Sequence, residues 1–257
     1  MDVHEYVHVH EDGHGRWGAQ VIRREILGRA STSEGGEVKL IKDGGGYTIM
    51  SDDRILMTSR THGSEEAMAR LACHRVKDLD APRILVGGLG LGYTLRATLD
   101  RVNERAEVVC AELMDAIVDW HRGPLGPLAD HPIDDPRVRM HVGDVSDAIR
   151  EPGGGYDAIV LDVDNGPIPM TVVSNWWLYA KEGLAALYAA TRPGGIAIVW
   201  SAGEDELFLG RMRAAGFDAE VMKVAARTGR RKRRGRGSSH VLFIGRRAEH
   251  RDPVGRT

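Results

Sequence analysis

Between Ile84 and Leu95 the chain reads ILVGGLGLGYTL, an apolar run that breaks at Gly88, Gly90 and Gly92 and then takes on helix-forming residues. Glycines at alternate positions carry no Cβ atoms to hold a ligand away. Backbone N–H groups and the N-terminus of the next helix can therefore approach a polar or anionic group closely. About twenty residues on, the next apolar run, EVVCAE, ends at Glu112, where a carboxylate can accept both hydroxyls of a ribose. Loop and acid together point to a nucleoside-type ligand. A dinucleotide fingerprint G-x-G-x-x-G starting at Gly88 would need glycine where Tyr93 stands, which makes NAD the second choice. Two further acid-tipped runs, VRMHVGD ending at Asp144 and YDAIVLDVDNGP carrying Asp162 and Asp164, suit an S-adenosyl ligand better. Each of these aspartates also has a plainer role open to it, capping a helix or closing a turn.

Something must hold these residues together. From Pro82 onward buried strands and helices alternate, and the strands RILVGG, AEVVCAE, VRMHVGD, YDAIVLDV and GIAIVWSA include continuous apolar runs. Such runs belong to a parallel sheet covered by helices on both faces, a doubly wound α/β core. Its ligand crevice lies at the carboxyl ends of the strands near the switch in strand order, where Gly88 to Gly92, Glu112, Asp144 and Asp162 would gather. A helix is predicted over about 64–76, and SNWWLYAKEGLAALY reads as another, with Trp176 and Trp177 as packing residues. DAEVMKVAAR and SSHVLFIGRR read as two closing strands. Upstream, AQVIRREI, EVKLIK, YTIM and RILM are separated by Gly and Asp turns, the pattern of a small antiparallel sheet. The predicted division is a mobile His-bearing terminus over 1–16, a β domain over 17–62, a catalytic domain over 63–247 and a tail over 248–257.

Composition narrows the field without choosing a function. The chain has 257 residues, 42% of them hydrophobic, and a formal net charge of −2, so bulk charge favours no class of partner. Cys73 and Cys110 are far apart in sequence, and Cys110 sits inside an apolar strand as a small buried thiol would. Together with an N-terminus lacking a basic-then-apolar signal pattern, this predicts a soluble protein in a reducing cytoplasm, with no membrane partner. His4, His8, His10 and His14 lack the acids or cysteines that would complete a closed metal site, and no metal is assigned. Seven of the ten residues from Arg227 to Arg236 are Arg or Lys. A loop of that density can contact nucleic acid, but without interleaved aromatics it reads first as a solvated hairpin tip.

From about Ile55 to Ser201 the sequence resembles the spermidine/spermine synthase family, the aminopropyltransferases, in the order and spacing of its motifs. VGGLGLGYTLR is similar to the family's glycine loop, CAELMDAIVDWHR to its ribose-binding strand and helix, and DPRVRMHVGD to the segment whose last acid holds adenine. YDAIVLDVDNGP resembles the catalytic segment and TRPGGIAIVWS the turn and strand after it. The resemblance implies a Rossmann-like class I methyltransferase core with a mostly parallel seven-stranded sheet, a small N-terminal β-sheet and a homodimer. It also implies that Gly88, Gly90, Leu91, Gly92, Glu112, Leu113, Asp144 and Val145 hold decarboxylated S-adenosylmethionine as substrate. Asp162 would take the proton of the attacking amine and Asp164 would hold a distal ammonium of the acceptor, with no metal involved.

The departures bear on the donor. The family carries an acid against the donor's ammonium where this chain has Leu91. Its strand Gln and its Tyr-His pair are matched here by Leu56, Glu65 and Glu66. In one reading Glu65 and Glu66 make an acidic, substrate-binding pocket that still selects a cationic di- or polyamine. In a second, loss of the acid at Leu91 admits ordinary S-adenosylmethionine, and the enzyme transfers a methyl or another alkyl group. A third, a nucleoside-binding protein without catalysis, sits poorly with retention of Asp162.

Overall fold

The computed structural model describes residues 3–11, 17–32, 35–52, 54–151, 155–163, 176–226 and 238–249, those up to residue 22 as backbone only. By its internal contacts the chain divides into two compact units, Met1–Thr61 and His62–Thr257.

The first unit is a five-stranded antiparallel meander of β1 (Val3–Glu11), β2 (Trp17–Ser31), β3 (Glu37–Asp43), β4 (Gly46–Ser51) and β5 (Arg54–Thr58). Gly44 and Gly45, both at positive φ, join the paired residues Asp43 and Gly46 in the tight two-residue turn that suits the twist of a hairpin. Val38, Leu40, Ile41 and Ile49 form its buried face. The strand β1 corrects the expectation of a mobile terminus over 1–16. Its residues 3–11 pair along the whole first part of β2, from Val3 opposite Glu25 to Glu11 opposite Trp17. The long β2 supplies a backbone edge, and the valines and tyrosine of VHEYVHVHE tolerate extended geometry despite their polar neighbours.

The second unit alternates as expected. It runs α1 (Gly63–Val76), β6 (Arg83–Gly87), α2 (Tyr93–Leu99), β7 (Glu107–Glu112), α3 (Asp115–His121), β8 (Val138–Val142), α4 (Val145–Arg150) and β9 (Tyr156–Leu161). Then come α5 (Trp176–Tyr179), α6 (Lys181–Ala190), β10 (Thr191–Ser201), α7 (Glu206–Ala214), β11 (Asp218–Ala225) and β12 (Ser239–Arg246). The seven strands lie in the order β11-β12-β10-β9-β6-β7-β8. All pairings from β10 to β8 are parallel, and β12 runs antiparallel to both neighbours.

The continuous apolar runs are explained by their neighbours. Ile84, Leu85, Val86, Val108, Val109, Ile159 and Val160 are all 0% exposed, and burying such a side chain is worth about 1.5–3 kcal/mol. On α1, Ser64, Ala67, Met68, Ala72 and Val76 form a buried stripe against β9, β10 and α2. The predicted helix over SNWWLYAKEGLAALY is two helices broken at Ala180, where a Cβ on Gly183 would overlap the Trp177 carbonyl. Trp177 lies under the Arg150 guanidinium at 3.7 Å, whereas Trp176 is 63% exposed. Both cysteines are buried and unpaired, and burial pushes the Cys73 thiol up to about 11. Among the described residues no helix is long and apolar enough to cross a membrane.

Strand β6 has β7 on one side and β9 on the other, so strand order reverses beside it and its carboxyl end is the switch point. There the Gly87 carbonyl accepts the Asp162 N–H at 2.8 Å, and the Gly88 N–H donates to the Ala111 carbonyl at 2.8 Å. Gly88 has φ +90°, and a Cβ there would overlap the Asp162 carbonyl oxygen. Gly88→Ala is therefore expected to lower stability by more than about 2 kcal/mol. Gly203→Ala, which adds its methyl to open space, should change it by less than about 0.5 kcal/mol. Urea midpoints of the two variants check the contrast.

Candidate active site

The glycine loop is braced from below by Glu112, at the carboxyl end of β7. Its Oε2 accepts the N–H groups of Leu89 at 2.9 Å and Gly90 at 3.4 Å, and its Oε1 accepts that of Met114 at 3.0 Å. Burial pushes this carboxyl above the usual carboxylate range, against the pull of backbone N–H groups from Met114, Leu89, Gly90 and Leu113. A carboxylate offers about four acceptor positions. Leu89, Gly90 and Met114 hold three of them and the Leu113 N–H also acts on the group, so a ligand hydroxyl would come in exchange for a weak contact such as the long one from Gly90.

Gly92 caps α2 at φ +85°, and a Cβ there would press on the ring of His121. His121 is 0% exposed at the end of α3 and donates from Nε2 to the Gly90 carbonyl at 2.9 Å. That bond places its proton on Nε2, burial holds its titration below the ordinary histidine range, and Nδ1 has no partner among the described residues. Leu91 is 4% exposed, so this position offers a ligand its backbone rather than its side chain.

Asp144 follows β8 and caps α4, its Oδ1 accepting the Ser146 N–H at 2.8 Å. The capping role named for such residues is thus occupied, with Oδ2 left over. Val145 is buried, its methyl against Gly87, and contributes to the first turn of α4, where N–H groups lack helical partners. Leu113, 42% exposed, follows Glu112 just past the end of β7, and Val142, 48% exposed, pairs with Glu112 at the end of β8, two residues before Asp144. Two exposed aliphatic side chains beside two acids suit the faces and edge of a planar base.

Asp162 stands across the switch point. Its Oδ2 accepts from the Thr94 hydroxyl at 2.9 Å in the first turn of α2. Burial, then the nearby Glu65 charge, pushes Asp162 up to about 7, with the Thr94 bond opposing. Glu65, in the first turn of α1, is itself raised by burial and accepts from Ser64 Oγ at 2.6 Å. Glu66 turns aside to His62 Nδ1 at 2.9 Å, and the His62 ring stacks on Tyr93 at 4.2 Å with 16° between planes. The charge of the sequence-predicted Glu65 is thus felt at Asp162, while Glu66 is paired with His62. Asp164 and Arg227 to Arg236 lie outside the described residues. Thr94, His121, Ser64 and His240 on β12, whose Nδ1 lies 2.8 Å from the Ser64 hydroxyl, were not expected. Only Thr94 carried a signal, as a hydroxyl two residues after the last loop glycine.

No family model matches the chain. By sequence it is 28% identical over 153 residues to a spermine synthase of Arabidopsis thaliana, a match spanning 59% of this chain and 40% of that protein's length. By structure it matches a spermidine synthase from Thermotoga maritima at TM-score 0.70 and 14% identity, covering 97% of this chain and 81% of the other. It also matches a spermidine synthase in complex with the transition-state analogue AdoDATO, at TM-score 0.69 and 14% identity over the same shares of the two chains. The structural likeness shows the shared fold. The chain is thus similar in sequence to a spermine synthase over less than half of that protein's length, and it shares its fold with spermidine synthases.

Proposed function

We propose that the protein transfers an aminopropyl group from decarboxylated S-adenosylmethionine to a di- or polyamine. The observation that carries this reading is the position of Asp162, a carboxyl poised at about 7, beside the glycine loop that Glu112 braces. In this reading Glu112 takes the ribose hydroxyls, Asp144 and the start of α4 take the adenine edge, and Leu113 and Val142 cover its faces. The amine approaches from the side of Glu65 and Asp162, and the resemblance assigns its distal ammonium to Asp164.

The chemistry asks little of the protein beyond placement and one proton. An ammonium N–H passes its proton to an Asp162 oxygen, and the freed lone pair attacks the carbon next to the sulfonium. As the C–N bond forms, the C–S electron pair returns to sulfur, leaving a neutral thioether and a secondary ammonium. Fixing amine and carbon in line supplies much of the rate, and a base matched to neutral pH supplies about 10²–10⁴-fold more.

A second reading, alkyl transfer from ordinary S-adenosylmethionine, is favoured by one observation, the apolar Leu91 where the family places an acid against the donor's ammonium. Calorimetric titration separates the two. The aminopropyl reading expects the decarboxylated donor and methylthioadenosine to bind more tightly than S-adenosylmethionine, and the reverse ranking would overturn it. Glu112→Gln should weaken all three ligands by about 10- to 100-fold, because an amide cannot accept two hydroxyls while facing backbone N–H groups.

Asp162 makes its own pair of expectations. Asp162→Asn should lower kcat by at least about 100-fold while nucleoside affinity stays nearly unchanged, and kcat/KM of the wild type should rise with pH to a plateau above about 7. The same raised carboxyl acts on stability with a definite sign. The folded state keeps the proton where the unfolded chain has lost it, so this contribution is complete below about 4 and disappears as pH rises through about 7. Melting curves should show Asp162→Asn more stable than wild type at pH 8, with the gain shrinking toward pH 4.

A further inference from the structure

The middle of the glycine loop has no side chain of its own to hold it. Gly88, Gly90 and Gly92 stand at φ +90°, +50° and +85°, and because glycine adopts many backbone conformations with ease, a fixed one must be imposed by neighbours. Two hydrogen bonds impose it at Gly90. Its N–H reaches Glu112 Oε2 at 3.4 Å, and its carbonyl accepts from His121 Nε2 at 2.9 Å. The first is long and is the contact that a ligand hydroxyl on Glu112 would displace, so the second is what holds Gly90 in a filled site.

Packing alone does not call for a histidine here. His121 is 0% exposed, a Cβ on Gly92 would come within 2.7 Å of its Cε1, and its Nδ1 is buried with no hydrogen-bond partner among the described residues. A buried ring nitrogen without a partner is a cost that Phe would not carry, and the Nε2 bond to Gly90 is what offsets it. That bond also orients the next peptide. A trans peptide points its C=O and its N–H in opposite directions, so with the Gly90 carbonyl turned to His121 the Leu91 N–H is directed away from α3. The Leu91 side chain is 4% exposed, which makes this N–H the group that residue 91 offers a ligand.

We propose that His121 is a positioning residue that locks the peptide between Gly90 and Leu91 in the orientation that presents the Leu91 N–H to a bound nucleoside. The proposal rests on the nucleoside-binding part of the proposed function and holds for either alkyl donor. It adds a hold on the loop from α3 to the one that Glu112 supplies from β7. Without the Nε2 donor this peptide is free to turn over, which replaces an N–H by a carbonyl oxygen on the ligand side. Two substitutions separate the hydrogen bond from the packing. Phe keeps a ring against Gly92 but cannot donate, whereas Gln carries an amide Nε2 the same number of bonds from Cβ and keeps the donor without the ring.

The test is calorimetric titration of wild type, His121→Phe and His121→Gln with methylthioadenosine. His121→Phe should bind at least about fivefold more weakly than wild type, and His121→Gln should bind at least about threefold more tightly than His121→Phe. A smaller loss in the Phe variant overturns the lock, as does a Gln variant that recovers less. Nitrogen NMR of the wild type covers variants that fail to fold. The imidazole should carry its proton on Nε2 and none on Nδ1 at neutral pH, and the Leu91 amide should shift when methylthioadenosine binds. A proton on Nδ1, or an unmoved Leu91 amide in the bound protein, overturns the lock. A wild type that binds no methylthioadenosine overturns the reading of function instead, and amide exchange then decides the role of His121. The Gly92 N–H, bonded to the Leu89 carbonyl at 2.7 Å, should exchange at least about fivefold faster in His121→Phe than in wild type or His121→Gln, and a smaller difference overturns the lock.

Discussion

The backbones of Gly88 and Asp162 lie closer together than any side chain at residue 88 would allow, and this approach decides where every other group at the crevice stands. Strand β6 turns out of the sheet at the one place where its neighbours β7 and β9 lead the chain in opposite directions. The Asp162 N–H is tied to Gly87 and the Gly88 N–H to Ala111, so loop and acid are positioned by the same ladder that holds the core. A core of this kind is close-packed, and an added methyl is felt as displacement of whole segments rather than absorbed locally. The distance between the glycine loop and the Asp162 backbone is therefore a property of the sheet, not of a flexible side chain.

Around this fixed point the acids divide the work by their surroundings. Glu112 is held among backbone N–H groups, which favour its charge even as burial opposes it, and its geometry serves the loop before any ligand arrives. Asp162 has only the Thr94 hydroxyl as donor and a second acid nearby, so burial and charge both favour its protonated form. Carboxylates kept at different proton affinities by their environments are how one crevice can bind with one acid and exchange protons with another.

What the sequence discloses follows from the range of the interactions involved. RILVGG, AEVVCAE and YDAIVLDV announce themselves because strands covered on both faces must be apolar throughout, and the acids after them follow from where such strands end. The strand β1 escapes notice because its order comes from pairing with β2, while its own composition mixes Val7 and Val9 with His8 and His10. The break between α5 and α6 depends on a glycine lying against a carbonyl six residues earlier, which no helical periodicity reveals. The same reason hides Thr94, His121 and His240. Their partners stand 68, 31 and 176 residues away, and only the completed sheet brings them together.

Under the proposed reading, the presence of Leu91 where the resembled family has an acid, together with an acid at Glu65, acquires a physical meaning. Coulomb attraction depends on separation and dielectric, not on the element that carries the charge. In that reading a carboxylate on α1 in place of one on the loop acts on the proposed base Asp162 rather than on the nucleoside side. Two carboxylates sharing a partly buried site resist joint ionisation unless a cation lies with them. An amine arriving as its ammonium supplies that cation and draws Asp162 toward its charged, proton-accepting form. Once Asp162 has taken the proton, Glu65 still balances the remaining positive charge of a longer amine. In the proposed reaction the acceptor's own charge therefore prepares the base that will deprotonate it, and an uncharged acceptor would leave the pair holding its proton.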